Sequence, residues 1–242
     1  MMKLNSINGG ICSKIPDWAE QLSILLRVEW TDKDNICRFP YLPLTTREHW
    51  ENIVGKQWES REMISWAYVS DSGRILAHAA LVEKDGCYEG GRWVAYPESP
   101  RGALTDLCKE SVKYASSIGK KVFVEATQVH TTSQYICEKI GLTFAGISFG
   151  VNNGSGGIPL DIIHYDNFGT DEFVPQKGIT GRSHGKPIPC LQKHLEKLMR
   201  VAETLSCGRG GCLPPLEFHV LPHRLETVRA IINGNIEYLQ KT

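Results

Sequence analysis

The chain has 242 residues, 41% hydrophobic and 22% charged, enough for one ordinary core with an extension or for two small domains. Lys plus Arg and Asp plus Glu stand at 27 each, so no net field draws the protein toward nucleic acid or a membrane surface. The eight cysteines are scattered, and Cys12, Cys37, Cys108 and Cys137 sit among apolar neighbours, which suits reduced thiols in a cytoplasmic protein better than a disulfide framework. The first residues, MMKLNSINGG, lack a basic segment followed by an apolar core, so no signal peptide is expected. Nor is there an uninterrupted apolar run of about 18 residues, so no membrane span is expected.

In chain order, PDWAEQLSILLRVEW (16–30) places Trp18, Leu22, Leu25, Leu26 and Trp30 along one face and predicts a helix. DNICRFPYLPL (34–44) is broken by proline. TTREHWENIVGKQW (45–58) then predicts a second helix, capped by Thr45 or Thr46. MISWAYV (63–69) reads as a strand that enters an Asp-Ser-Gly turn and forms a hairpin with the strand from Ile75. Trp18, Trp30, Trp50, Trp58 and Trp66 are expected to pack in the core.

The stretch from Arg74 to Phe149 carries the strongest pattern. Apolar residues on both alternating faces of ILAHAALV predict a strand buried on both sides. Ser99 and Pro100 look like an N-cap and first helical residue, ahead of a stripe of Leu104, Leu107, Cys108, Val112, Ala115 and Ile118. Gly119 ends that helix. Val122–Val124 form the next strand. Thr131 and Gln134 stand at capping-box spacing before a short helix that stops at Gly141. This alternation predicts an α/β domain with a partly parallel sheet.

These pieces, in this order, resemble the Gcn5-related N-acetyltransferases (the GNAT family). The matching stretches are Val94 to Pro97, Arg101-Gly102, Glu125 to Thr127, and Glu138 to Leu142, within a resemblance that spans roughly residues 15 to 165. The implied fold is a GNAT-like mixed β-sheet flanked by helices, with a smaller C-terminal α/β extension. The implied activity is transfer of an acetyl or other acyl group from acyl-coenzyme A, as co-substrate, to a small-molecule or protein amine. A GNAT-fold module that binds a nucleotide, an acyl carrier or a protein without catalysis is the alternative.

The resemblance also implies a site. Backbone groups of Val94, Ala95 and Tyr96 would polarise the thioester, and the helix start at Arg101, Gly102 and Ala103, with Ser133, would hold the carrier. The pyrophosphate loop is degenerate, because Leu104 stands where a glycine belongs. Glu89 is the candidate base and Gly90-Gly91 beside it suggest a bulge, with Glu125 a weaker second candidate. Cys137 replaces the customary tyrosine as candidate acid or acyl carrier, and His130 lies at a strand end ahead of the short helix. His78, between alanines, reads as a core histidine.

VNNGSGGIPL (151–160) lacks a following Lys-Ser/Thr and reads as a surface loop, and LDIIHYDNF (160–168) as the last strand of the core sheet. From 169 the composition turns polar and rich in Gly and Pro, which marks a boundary between domain 1–168 and extension 169–242. LQKHLEKLMRVAETL (191–205) predicts an amphipathic helix, LEFHVLP (216–222) a short strand, and HRLETVRAIINGNIEYLQ (223–240) a closing helix. Cys207, Cys212, His219 and His223 are spaced too loosely for a zinc site, so no metal is expected. The basic stretch Lys177–Lys193 is a weak adaptor candidate, but the balanced charge argues against nucleic acid. Acceptor identity and oligomeric state are left open by the sequence.

Overall fold

The computed structural model describes residues 3–7, 15–31, 39, 41–127, 131–153, 159–168, 179–183, 186–189 and 220–241. They divide into two compact units, one through Val122 and the other over Phe123–Asn152 and from Pro159 onward.

The first unit is an antiparallel meander of β1 (Lys3–Ile7), β2 (Met63–Val69), β3 (Ile75–Lys84) and β4 (Cys87–Ala95). The first eight residues of β3 are all buried, as its two-sided apolar pattern requires. One face of the meander carries α1 (Trp18–Glu29) and α2 (47–60). Leu22, Leu25 and Leu26 of α1 are fully buried there, together with Ala67, Ala80 and Val82. Trp50 and Trp58 are buried in the same cluster, with Trp18 and Trp30 packed partly against it, and Trp66 is buried too. The other face carries α3 (Ala103–Ser117), whose Leu107, Cys108, Ser111 and Ala115 are buried.

α2 is helical in pieces: an α-helical turn Arg47–His49, a π-helical turn Trp50–Val54 and α-helical Gly55–Ser60. Thr46 sits at its N-cap, but the hydroxyl donates back to the Pro43 carbonyl and does not cap the helix.

α3 begins later than Ser99-Pro100 suggested. The Ser99 hydroxyl donates to the Leu76 carbonyl, and the Ala103 N–H donates to the Pro100 carbonyl, closing a turn before the helix. Gly102 stands at the third position of that turn with φ 86 and ψ −6, values that favour glycine. At the other end Gly119 has φ 71. Its N–H bonds the Ser116 carbonyl and the Lys120 N–H bonds the Ala115 carbonyl, so the helix stops in a Schellman motif.

The second unit contains β5 (Val122–Thr127, entering at Phe123), α4 (Thr132–Lys139), β6 (Thr143–Asn153), β7 (Pro159–Asp166), β8 (Ile179–Ser183), β9 (Lys186–Pro189) and α5 (Leu225–Lys241). Its strand order is β5-β7-β6-β8-β9, with β5–β7, β6–β8 and β8–β9 antiparallel. β6 runs on to Asn153, into the stretch expected to be loop. The hairpin β8–β9 falls where only a polar link was expected, because the glycine and proline content outweighed Ile179 and Ile188 in the sequence reading.

The expected capping box at α4 does not form. Thr131 makes no side-chain cap, and the Gln134 amide oxygen instead accepts the N–H of Leu221 at 3.2 Å. The helix expected at 191–205 and most of the strand expected at 216–222 lie outside the described residues; Val220 and Leu221, which are described, are not in a strand. Among the described residues no helix is long and apolar enough to cross a membrane.

Candidate functional site

The site is built on β4. β3 and β4 meet in a hairpin at Asp85-Gly86, and their register holds from Lys84↔Cys87 to Ala80↔Gly91. It then slips: His78 pairs with Val94, so Arg92 and Trp93 together oppose Ala79. The bulge therefore lies just beyond the Gly90-Gly91 pair that hinted at it. Arg92 carries φ 55, a left-handed conformation that costs a non-glycine residue of order 1 kcal/mol or more.

Three side chains converge on this bulge. Glu89 faces Arg92 in an ion pair with 3.3 Å between Oε1 and a guanidinium nitrogen, and their side chains are 25% and 16% exposed. His78 is fully buried and donates Nδ1–H to the Arg92 carbonyl at 3.0 Å. Burial drives its pKa down to about 4, against a smaller opposing effect of that backbone hydrogen bond. The Trp50 ring stands edge-on to His78 at 5.5 Å, and its Nε1 donates to the Leu44 carbonyl. His49, the residue before the π-helical turn, is half-buried, and burial followed by the Arg92 charge lowers its pKa. Tyr41 lies edge-on to His49 at 5.5 Å.

Several donors here lack acceptors. Arg92 Nε and Trp93 Nε1 are buried with no hydrogen-bond partner among the described residues, and so is His78 Nε2 as an acceptor. Sequence reasoning missed His49, Arg92 and Trp93. The only usable signal was the glycine pair beside Arg92.

Past the bulge, the Tyr96 N–H donates to the Leu76 carbonyl, so it is not available to a ligand. Strand alternation turns Val94 to the same edge and leaves the N–H and C=O of Ala95 on the other. The expected group of donors at Val94, Ala95 and Tyr96 thus reduces to Ala95. At the start of α3 the Ala103 N–H is taken by Pro100, so the first-turn donors without intrahelical partners begin at Leu104. Arg101 and Gly102 are exposed. Asp106 sits in the first turn of α3. Burial, then the Asp106 carboxylate to which it is hydrogen-bonded, push the Tyr68 phenol above its usual pKa.

A separate depression of about 400 Å³ lies between α1 and the β2–β3 turn, lined in part by Gln21, Arg74 and Tyr96. Its polar groups are engaged: the Gln21 amide bonds Pro16, Gly73 and Ile75, and Arg74 pairs with Glu98 while stacking on Tyr96.

In the second unit, Ser133 lies at the start of α4 with a buried Oγ that has no partner among the described residues. Cys137 is fully buried, and burial followed by the Glu138 carboxylate pushes its thiol well up. A thiol in that setting stays protonated near neutrality. Tyr165 is buried as well, and burial raises its phenol. Glu125 is exposed, and His130 lies outside the described residues, as do Cys207, Cys212 and His219. His223 is described, and pairs with Glu138. Among the described residues no cluster of His, Cys, Asp and Glu has the makings of a metal site.

No family model and no curated protein matches the sequence. Solved structures do. A GNAT-superfamily phosphinothricin acetyltransferase from Sinorhizobium meliloti, solved with AcCoA, is 11% identical with a TM-score of 0.52, over 69% of this chain and 87% of that one. The ribosomal-protein-S5-alanine acetyltransferase of Vibrio fischeri is 9% identical with a TM-score of 0.53, over 70% of this chain and 94% of its own. A GNAT-family acetyltransferase from Streptococcus pneumoniae is 16% identical with a TM-score of 0.51, over 69% and 99%. At these identities it is the architecture that is shared: the chain has the GNAT acetyltransferase fold, a mixed β-sheet flanked by helices.

Proposed function

We propose that the protein transfers an acyl group, acetyl in the simplest case, from acyl-coenzyme A to an amine. The observation that carries this reading is the bulge in β4, which sets Glu89 and Arg92 of that strand beside the buried His78 of β3. Bulges re-aim side chains, and a strained non-glycine residue in one is held there by its surroundings. In the proposed reaction the acceptor ammonium yields a proton to Glu89 and onward to solvent. The amine nitrogen then attacks the thioester carbonyl and the C–N bond forms. As the C–S bond breaks, the second proton leaves with the thiolate as the free thiol. The Ala95 N–H is the backbone donor best placed to polarise the carbonyl. The start of α3, with Arg101 and Gly102, is the proposed holder of the carrier. Cys87, Cys108 and Cys137 are buried, and a cytoplasmic setting is part of this proposal.

A second reading rests on a specific observation. Asp106 puts a carboxylate in the first turn of α3, where a pyrophosphate would sit, and Leu104 replaces the glycine there. A non-catalytic module of this fold would tolerate both. Calorimetry with acetyl-coenzyme A followed by an assay of thiol release against a panel of amines separates the two. Binding with turnover supports transfer, whereas binding without turnover supports the module.

A further inference from the structure

We propose that the acceptor is a free α-amino acid, bound as a zwitterion with its carboxylate on the Arg92 guanidinium and its amine beside Glu89. The inference rests on the acyl-transfer reading and narrows its acceptor. Arg92 is largely buried, yet among the described residues its guanidinium makes one long contact, 3.3 Å to Glu89, and its Nε has no acceptor. The next residue of the bulge, Trp93, likewise has a buried N–H without an acceptor. Buried donors in folded proteins are nearly always paired, and a guanidinium fork pairs best with a planar carboxylate. A solvent-facing arginine would need neither the left-handed backbone at φ 55 nor the His78 bond that secures its carbonyl. The neighbouring π-helical turn Trp50–Val54 is a further irregularity of the kind that gathers at functional sites.

The charges select among amines. Glu89 and Arg92 carry opposite unit charges, and the nearby His49 is neutral at physiological pH, since burial and Arg92 both lower its pKa. A plain amine would satisfy Glu89 but meet the Arg92 charge, and a plain anion would do the reverse. A zwitterion complements both. Because the two protein charges lie only 3.3 Å apart, the ligand's charges must be close as well, which places amine and carboxylate on one carbon. Glu89 and Arg92 are each partly exposed, so the pair is reachable.

The test is a transfer assay on the full chain with acetyl-coenzyme A and three matched panels: the twenty common amino acids, their methyl esters and their decarboxylated amines. Thiol release and acetylated product are both measured. At least one free amino acid should be acetylated, with kcat/KM at least tenfold above its ester and its amine. Arg92→Lys and Arg92→Gln should raise KM for that amino acid at least tenfold and shrink its advantage over the matched amine. Esters or amines used as well as the acids would overturn the inference while leaving acyl transfer standing, and needs no variant to fold. No acetylation of any member of the three panels would overturn this inference, and the acyl-transfer reading would fall with it only if protein amines were not acetylated either.

Discussion

His78 on β3 donates its Nδ1–H to the carbonyl of Arg92 in the β4 bulge at 3.0 Å, and this bond fixes the imidazole as the Nδ1–H tautomer. The ring is fully buried and titrates at about 4 when folded. An unfolded histidine binds its proton near pH 6.5, so between these values the unfolded chain holds more protons than the folded one. Stability from His78 is therefore complete above about pH 6.5 and falls as pH drops toward 4. The loss should be about 1 kcal/mol at pH 5.5. Urea unfolding at pH 7.5 and 5.5 measures it, and His78→Gln should be less stable at both values but lose less between them. An equal pH-dependent loss in the variant would show that His78 does not titrate in this window.

At the start of α3, Arg101 is exposed and Asp106 occupies the first turn. If a carrier pyrophosphate docks there, the two charges act in opposite directions. Arg101→Glu should weaken coenzyme A binding at least tenfold, about 1.4 kcal/mol. Asp106→Asn should tighten it by several-fold, since a carboxylate beside a phosphate is removed. Calorimetry at constant ionic strength reads both, and two unchanged affinities would move the phosphate site elsewhere.

Glu89→Gln keeps the shape of the side chain and removes its basicity. Turnover should fall about a hundredfold, the usual cost of losing a general base. Affinity for coenzyme A should stay nearly constant, because Glu89 is assigned to the amine. Full activity at neutral pH would take the base away from Glu89.

Much of this architecture is legible in the sequence because local signals and burial agree. The unbroken apolar run of β3, the stripe of α3 and the stop at Gly119 all lie where periodicity puts them. The site is less legible, for physical reasons. A bulge is a property of register between two strands, and nothing in Arg92 or Trp93 alone marks them as the pair that opposes Ala79. Likewise Thr131 and Gln134 have capping spacing, but the chain supplies a better partner for Gln134 at Leu221, 87 residues away. Nothing in the sequence around Cys137 marks its thiol as fully buried.

Cys137 yields a simple outcome. With its thiol fully buried and its ionisation opposed, a thiol-specific reagent should not modify it in the native protein. Cys137→Ser buries a hydroxyl in an apolar setting and should cost about 1–3 kcal/mol of stability. Activity per folded molecule should persist. Near-complete loss of activity with an acyl-cysteine seen by mass spectrometry would restore a covalent route.

The last prediction concerns the C-terminal segment, where Glu138 acts as a clamp. Its two carboxylate oxygens meet His223 Nε2 and Arg224 Nε, each at 2.7 Å, with Glu138 only 21% exposed. Arg224 also lies over the Phe144 ring at 5.7 Å, and the Leu221 N–H reaches Gln134. Val228, Ile231 and Ile232 of α5 are fully buried. The contacts of Leu221, His223 and Arg224 join this segment to α4 and β6, so we propose that residues 169–242 pack on the domain before them and do not fold as an independent extension. A segment of that length holds a marginal core by itself. Glu138→Ala leaves the Arg224 guanidinium without its carboxylate and should destabilise the whole protein by about 2 kcal/mol, in a single transition. Heat denaturation followed by circular dichroism and by tryptophan fluorescence should then give one shared midpoint, lowered in the variant. Residues 169–242 expressed alone should show no cooperative transition. A sharp melt of that fragment, or a variant whose two signals separate, would make the extension an independent domain.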